Sequence, residues 1–380
     1  MIYLLVFTFS VLFTYLAQRT VNQRLFFFSF SVMAVLFPSM LAGFRDSGVG
    51  TDTLVYVDDI WGKITRCDNW KLFWISYIVK VFDDVELLYL FVNYVVFQLG
   101  GDLHALYFTV NFIVVLLFYL AAYDNRKKAP MWLVMTLFLL MYYNVSLNLV
   151  RQSIALSMCV YAFKYAESRN WKRLILWCVL IILAHNTGVF YVIFLVFFFT
   201  SKIQVAKLKN MLLFSFYLSI CLFLIAFDYI LSLAISFNVL PVKFGAYLSE
   251  SSEVNIQKAS FFLYFSLLLL FYAIKKVTQR YIDVHKEISF YTSTKCIGLF
   301  LFITSLMSKW AFRISYYFNY ICDCIFLPRA LYILKGKSRK AYIISVVCLL
   351  FICILMWFWT IIYRNENETY PYKSRILGIY

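Results

Sequence analysis

Three arginines lie at the ends of long apolar runs in this chain, at Arg45, Arg151 and Arg313. A cation within or beside a membrane-spanning segment costs about 2.5–3.5 kcal/mol on insertion scales, so each is a functional candidate by default. The planar guanidinium group carries donors that match phosphate oxygens, and it stays charged at neutral pH. The three positions therefore predict an anion site, with snorkelling of each side chain to lipid headgroups as the alternative.

The first arginine stands in the densest polar segment of the chain, GFRDSGVGTDTLVYVDDIW. Glycine has no Cβ, so Gly48 and Gly50 permit a tight backbone path there. This path would bring Thr51 and Asp52 back toward Arg45. We therefore expect the segment to fold onto its own arginine.

The other two arginines have polar neighbours at helical spacing. Residues three and four apart share a helix face, which predicts that Asn148, Arg151 and Gln152 point the same way. The same count places Tyr316 on the face of Arg313. These neighbours are candidates for contacts to the same ligand.

His185, in ILAHNTGVF, lies at a turn between two short apolar runs. An imidazole has an unperturbed pKa near 6.5, which suits a general base or a phosphate ligand. A capping or hydrogen-bonded structural histidine is the alternative. The sequence does not distinguish these roles.

Motifs that bind a cofactor or metal are missing from the sequence. It has no phosphate-binding glycine loop, calcium loop, zinc motif or nucleophile elbow. Cys322 and Cys324 are two apart on a helical run, so they point to different faces and make a poor metal site. We expect neither a metal nor a cofactor.

The elements that must position these residues are membrane helices. The chain is 63% hydrophobic and 14% charged, with a mean hydropathy of +0.79, whereas soluble domains are about 25% charged. A span needs roughly 20 apolar residues, and such runs predict an all-α polytopic integral membrane protein with about 12 (10–14) transmembrane helices. We expect residues 1–380 to form a single membrane domain. The predicted helices are Ile2–Leu16, Leu25–Ala42, Leu103–Tyr123, Met131–Leu147, Ser260–Ile274, Ser289–Ser308, Ile314–Leu334 and Ala341–Tyr363, with shorter segments at Leu149–Ala166, Leu174–Ala184, Val189–Thr200 and Leu212–Phe227.

Basic residues are concentrated in six short connections, which hold 19 of the 35 Lys and Arg residues against 4 acids. The positive-inside rule places these connections in the cytoplasm and the alternating ones outside. This distribution explains the net charge of +16 without a nucleic-acid partner. The six are Gln18–Arg24, Asp124–Pro130, Glu167–Arg173, Ser201–Lys209, Lys275–Glu287 and Lys335–Lys340; the outward ones include Arg45–Asp102, Asp228–Ala259, Lys309–Arg313 and Arg364–Tyr380.

The outward region Arg45–Asp102 follows the second predicted helix and is the least regular part of the chain. Within it, Phe73–Gln98 is apolar but is divided by three acidic residues. It fits a re-entrant hairpin, a pair of crossings or an interfacial segment. Irregular backbone is tolerated at membrane depth only where protein or water satisfies it, so the cavities are expected at the shorter segments Leu149–Ala166, Leu174–Ala184, Val189–Thr200 and Leu212–Phe227.

The ordered motifs resemble the EpsG-type branch of the Wzy bacterial polysaccharide polymerases. The matching stretches are RDSGVGTDTLVYVDDI, NLVRQSIALSMCVYAFKYAESR, LAHNTGVF, FRISYYF and PYKS. They run from Arg45 to Ser374, which is nearly the whole chain.

The resemblance implies a multi-pass enzyme of the bacterial inner membrane whose active site faces the periplasm. Such enzymes transfer a growing O-antigen or capsule glycan from undecaprenyl pyrophosphate onto the non-reducing end of a new lipid-linked repeat unit, without a metal. A flippase and a chain-length regulator are the implied protein partners, and membrane lipids surround the enzyme.

On this hypothesis the arginines bind the diphosphate, while Asp52 or His185 acts on the acceptor hydroxyl. The residues expected at the diphosphate are Arg45, Arg151 and Arg313, and those expected to contact sugar or support the site are Thr51, Tyr56, Asn148, Gln152 and Tyr316.

Three other classes fit parts of the pattern. A flippase for lipid-linked oligosaccharide also has about 12 helices and internal cations, but it should have charges across the membrane depth. An O-antigen ligase performs similar chemistry on the same kind of donor. An acyltransferase would favour a histidine on the cytoplasmic side, where only His285 is placed for it.

Overall fold

A computed structural model of the chain describes residues 1–83, 85–237, 245, 258–303 and 311–380. These residues form helices and turns with no β-strand among them, which confirms the all-α class. Parts of three predicted segments lie outside the described residues. They are most of the connection Asp228–Ala259, the end of the helix Ser289–Ser308 and the start of the connection Lys309–Arg313.

Two compact units make up the chain. The first comprises Met1–Gly188 and Asp323–Tyr380, and the second comprises Val189–Cys322. The helices of the first unit are α1 (Ile2–Arg19), α2 (Arg24–Gly43), α3 (Asp58–Ile64), α4 (Trp70–Ile78), α5 (Leu87–Gln98), α6 (Leu103–Asp124), α7 (Met131–Met141), α8 (Tyr143–Asn148), α9 (Val150–Glu167), α10 (Trp171–Ala184), Leu327–Lys337 and Arg339–Trp357. The helices of the second unit are Val189–Ser201, Ala206–Ile225, Phe227–Ser236, Lys258–Val277, Ile282–Phe302 and Tyr316–Ile321. Wider π-type turns occupy Thr53–Val57, Cys322–Phe326 and Phe358–Tyr363, and tighter 3-10 turns occupy Asn186–Gly188 and Ala311–Ser315.

Six of the described helical stretches are long and apolar enough to cross a membrane. The chain is therefore a membrane protein. Shorter apolar helices such as Met131–Met141 add to this set, and the total of about 12 crossings remains a prediction from their hydropathy. The six are Ile2–Arg19, Arg24–Gly43, Leu103–Asp124, Ala206–Phe223, Ser260–Val277 and Arg339–Tyr363.

The predicted single helix Met131–Leu147 is wrong, because the chain breaks at Tyr142 between α7 and α8. Tyr142 has φ −127° and ψ −15°, outside the helical range. The Tyr142 hydroxyl donates to Asp323 Oδ2 at 2.6 Å, and the next hydroxyl, of Tyr143, donates to the carbonyl of Pro38 at 2.6 Å. The break thus lets two successive buried tyrosines reach partners on different elements.

One further predicted helix is also interrupted. Ile314–Leu334 contains the π-type turn Cys322–Phe326, whereas Leu212–Phe227 lies within the helix Ala206–Ile225 except for its last two residues. A hydropathy average cannot detect such interruptions, because the residues on both sides of each break are equally apolar.

The region after α2 contains α4 and α5, of 9 and 12 residues. At about 1.5 Å per residue these helices are roughly 14 and 18 Å long, which is too short for a pair of straight crossings of a 30 Å core. Helix α5 packs against α3, α6 and α10. Of the three arrangements predicted for Phe73–Gln98, the hairpin and the interfacial segment fit these lengths.

Hydrogen bonds place other parts of the first unit at the two ends of α1. At one end, Gln18 Oε1 accepts from the Met131 backbone N–H at 2.8 Å, which joins a basic connection to the start of α7. At the other end, the Tyr3 hydroxyl donates to the carbonyl of Thr369 at 2.7 Å, in the tail. The second end also carries the loop that follows α2.

Candidate functional site

The loop after α2 follows the tight path that its glycines predict. Gly48 and Gly50 have φ values of 96° and 93°, which residues with a Cβ rarely adopt. A Cβ at Gly50 would lie 2.6 Å from the carbonyl oxygen of Leu147, so the loop presses directly on the end of α8. Thr53 Oγ1 accepts from the Gly48 N–H at 2.9 Å and donates to the Gly50 carbonyl at 2.6 Å. This path leaves Thr51 half-buried beside Asp52.

Arg45 lies beneath this loop. Its side chain donates to the carbonyls of Val49 at 3.1 Å and Leu147 at 2.7 Å, and the residue is only 2% exposed. Its guanidinium carbon lies 4.7 Å from the centre of the Tyr107 ring. Arg45 therefore ties the loop to the end of α8 from below.

Asn148 and Arg151 do not share one helix face, because the chain breaks at Leu149 between α8 and α9. Leu149 has a ψ of 63°, which ends α8 and redirects the backbone. Asn148 Oδ1 faces the backbone N–H of Asp52 at 3.4 Å, whereas Arg151 turns to Glu86. The break thus directs the two side chains to different partners in the same site.

Asp52, Tyr56 and Arg151 lie next to one another. The Tyr56 hydroxyl donates to Asp52 Oδ2 at 2.6 Å, and the guanidinium carbon of Arg151 lies 4.3 Å from the centre of the Tyr56 ring. Burial, followed by the negative charge of Asp52, raises the pKa of Tyr56 well above its usual value. The phenol therefore stays protonated and keeps donating to the carboxylate.

Glu86 connects Arg151 to the histidine turn. Its Oε2 accepts from Arg151 Nη1 at 2.7 Å, and its Oε1 accepts from the Asn186 N–H at 3.3 Å and lies 3.9 Å from His185 Nε2. Burial by itself would raise the pKa of Glu86, but Arg151, His185 and backbone N–H groups together hold it below its ordinary value. The carboxylate is therefore charged and fixed between two candidate site residues.

His185 caps the end of α10 with an extended backbone, φ −161° and ψ 131°. Its Nδ1 accepts from the Thr187 backbone N–H at 3.2 Å, so the neutral ring carries its proton on Nε2, which faces Glu86. Gln152 Nε2 approaches Thr187 Oγ1 at 3.5 Å and links α9 to the same turn. In this arrangement His185 presents an N–H to the carboxylate.

Arg151 has donors to spare. It donates to Glu86 and lies against Tyr56, and its buried Nε has no partner among the described residues. A guanidinium has five N–H donors, and the side chain is 21% exposed. The arrangement can therefore accept an anionic ligand.

Arg313 and Tyr316 belong to the second unit. Arg313 lies in the 3-10 turn Ala311–Ser315 and is half-buried, and Tyr316 begins the next helix and is 6% exposed. The centre of the Tyr316 ring lies 5.6 Å from that of Phe312 and 5.5 Å from that of Tyr320. Tyr316 is thus packed in an aromatic cluster.

The segment 368–374 also supports the loop after α2. The backbone N–H of Asp46 donates to the carbonyl of Lys373 at 2.9 Å, and that of Gly50 donates to the carbonyl of Glu368 at 2.8 Å. The buried Tyr372 hydroxyl donates to the carbonyl of Leu41 at 2.7 Å. These contacts cross more than 300 residues of sequence, and hydropathy gives no sign of them.

The structure thus joins Asp52, Tyr56, Arg151 and His185, within the first unit, through one residue that the sequence did not single out, Glu86. That residue stood out in the sequence only as an acid interrupting an apolar segment.

A comparison with protein families gives one match, in which the profile of the EpsG family covers residues 28–374. Searches among curated proteins and among solved structures give no match.

Proposed function

The chain belongs to the EpsG family, and on that premise we propose that it polymerises a bacterial surface polysaccharide. It would transfer the growing glycan from undecaprenyl pyrophosphate onto the non-reducing end of a new lipid-linked repeat unit. The reaction would occur at the periplasmic face of the inner membrane, with a flippase and a chain-length regulator as partners.

The observation that carries this proposal is the state of Arg151. Its guanidinium is held by Glu86 and Tyr56, yet its Nε is buried without a partner among the described residues and part of the side chain is exposed. A buried donor without an acceptor costs about 1–3 kcal/mol, which an anionic ligand oxygen would recover. A diphosphate leaving group supplies such oxygens, and a fixed guanidinium stabilises the charge that develops on it.

The proposed reaction forms one bond and breaks one. The acceptor hydroxyl oxygen bonds to the anomeric carbon of the donor glycan, and the bond from that carbon to the diphosphate oxygen breaks. The hydroxyl proton passes to a base, and undecaprenyl pyrophosphate leaves with the bonding electrons. Asp52 is the preferred base, because its carboxylate only accepts protons, whereas His185 Nδ1 already accepts from the Thr187 N–H and its Nε2 faces Glu86.

The remaining residues support these roles in the proposal. Arg45 holds the loop below the diphosphate, since its Nη1 donates to two backbone carbonyls. Asn148 positions Asp52, and Gln152 positions the histidine turn. Arg313, on the second unit, is proposed as a further diphosphate ligand.

The chain length of surface glycan in a host strain tests this proposal. Arg151→Ala and Arg313→Ala should each shorten the glycan to single repeat units. Arg66→Ala is the matched control, because Arg66 is exposed in the same outward region and its side chain makes no hydrogen bond or ion pair among the described residues. If both site variants retain long polymer, the diphosphate role is wrong.

The same strains separate the alternative classes. Loss of a flippase would keep repeat units on the cytoplasmic leaflet, and loss of a ligase would leave long polymer attached to its carrier lipid. Single units delivered to the cell surface are the result expected for a polymerase.

A further inference from the structure

An open pocket of about 380 Å³ lies in the first unit between the α4–α5 turn and the end of α10. Its size falls within the roughly 300–1,000 Å³ typical of small-molecule sites. Glu86 forms part of its wall. The pocket therefore borders the polar network of the candidate site.

The pocket has an apolar wall and a polar rim. The wall includes Ile78 from α4 and Ile182 and Leu183 from α10, which are 72%, 38% and 38% exposed. The rim includes Lys80 and Asp83, whose φ values of 58° and 52° make the tight turn that follows α4. Such a surface is available to a ligand with one apolar face and polar edges.

Two polar groups of the lining have no hydrogen-bond partner. The Tyr77 hydroxyl and the side-chain amide of Asn186 make no hydrogen bond among the described residues. A hydroxyl both donates and accepts, and an amide does the same with separate atoms. Sugar hydroxyl groups match this mixture, and the C–H face of a sugar ring matches the aliphatic wall.

The charges of the lining disfavour the other parts of a lipid-linked substrate. Asp83 is paired with Lys63 at 3.2 Å and Glu86 with Arg151 at 2.7 Å, and Lys80 is the one cation among the described lining residues, so the lining offers a diphosphate a single point charge and no guanidinium fork. A polyprenyl chain would strip water from these charged groups without replacing their hydrogen bonds. A saccharide is the substrate part that fits.

We propose that this pocket binds the non-reducing terminal sugar of the acceptor repeat unit. The inference rests on the proposed polymerase function and assigns a subsite to it. Glu86 belongs both to the pocket wall and to the hydrogen bond with Arg151. A sugar bound there lies one side chain away from the group that holds the donor diphosphate, which brings the attacking hydroxyl to the donor.

The test uses the full chain in lipid nanodiscs, with the methyl glycoside of the host repeat unit as a soluble acceptor. Tyr77→Phe and Asn186→Ala each remove one polar group of the lining. Both should raise the acceptor KM about three- to tenfold with little change in kcat, because a change of that size in KM is expected for the loss of one hydrogen bond. Lys71→Ala, exposed in the first turn of α4, is the control and should match the wild type. Saturation-transfer NMR of the same glycoside measures its binding without turnover.

A lowered kcat with unchanged KM in both pocket variants would overturn the subsite. The subsite would also be overturned if undecaprenyl pyrophosphate displaced the glycoside and neither variant lost the glycoside NMR signal. Polymerisation by all variants with the wild-type acceptor KM would reject the subsite and leave the polymerase function standing. Binding of the glycoside by a wild-type protein that forms no polymer would reject the polymerase function alone.

Discussion

The Arg151 and Glu86 side chains form a buried ion pair, with 21% and 6% of their surfaces exposed. Taking one partner from a buried pair leaves an uncompensated charge, whereas an exposed pair contributes little. The chain contains both kinds near the site, because Lys63 lies 2.9 Å from Asp59 with 25% and 60% exposure. The contribution of each pair to the free energy of unfolding can therefore be compared within one protein.

Glu86→Ala should destabilise the first unit by about 3–5 kcal/mol, because Arg151 would lose the carboxylate that accepts its hydrogen bond within a buried site. Asp59→Ala should cost at most about 1 kcal/mol. Thermal unfolding of the purified proteins in the same detergent measures the difference. Equal melting temperatures for the two variants would contradict a central role for Glu86.

The lowered pKa of Glu86 predicts a direction for the pH dependence of stability. A carboxyl group whose pKa is lower in the folded state contributes stability at neutral pH, and that contribution is lost as the pH falls through the lowered value. The melting temperature of wild type should exceed that of Glu86→Gln at pH 7, and the gap should narrow below pH 4, near the ordinary Glu pKa of about 4.3. A gap that widens on acidification would reverse the assigned sign.

Among the elements, the loop after α2 depends on backbone shape more than on side chains. Gly48 and Gly50 have nearly the same positive φ, but their surroundings differ. A Cβ at Gly48 would meet the end of the Leu54 side chain at an ordinary 3.4 Å, whereas one at Gly50 would meet a backbone carbonyl at 2.6 Å. That carbonyl, of Leu147, also accepts from Arg45.

Gly50→Ala should therefore abolish long polymer and lower the melting temperature, because neither the loop nor the end of α8 can move without losing the Arg45 contact. Gly48→Ala has the same backbone strain without the backbone clash, so it should keep long polymer with a smaller loss of stability. Glycan length and thermal unfolding give the two measurements. If the two alanine variants behave alike, backbone strain alone accounts for the loop.

Hydropathy located several elements to within a few residues, including α1 and α6, because a membrane span must be long and continuously apolar. It located neither the breaks at Tyr142 and Leu149 nor the course of α4 and α5. Those features depend on hydrogen bonds between distant segments, such as Tyr142 to Asp323.

Candidate residues were recognisable by type, since a cation or an imidazole is unusual among apolar neighbours. Arg151 and His185 stand out in this way and Asp52 by its place in the densest polar segment, and the three lie in one network. Their common partner was not recognisable, because an acid in a polar interruption of an apolar run is usually solvated. Glu86 gains its role only through the packing of α5 against α10.

On the scale of the whole molecule, the distribution of charge predicts which ends of the helices face the cytoplasm. The structure joins a basic connection to the start of α7 at one end of α1 and places the site loop at the other. The site would then lie outside.

Cysteine labelling of intact cells tests this orientation. The background is a variant in which the exposed Cys296 and Cys348 are replaced. A membrane-impermeant maleimide should label Arg66→Cys in intact cells. It should label Lys127→Cys only after the cells are opened. Both positions are exposed in the structure. The reverse pattern would place the site in the cytoplasm and would remove the periplasmic reaction from the proposal.

The contacts of the segment 368–374 with the loop after α2 also bear on biosynthesis. The loop leaves the ribosome early, but the carbonyl of Lys373 that accepts from Asp46 emerges more than 320 residues later. Contacts between such distant segments form late in folding. A nascent chain would therefore carry an incomplete candidate site throughout most of its translation and membrane insertion, which would keep it from acting on the proposed substrate during that time.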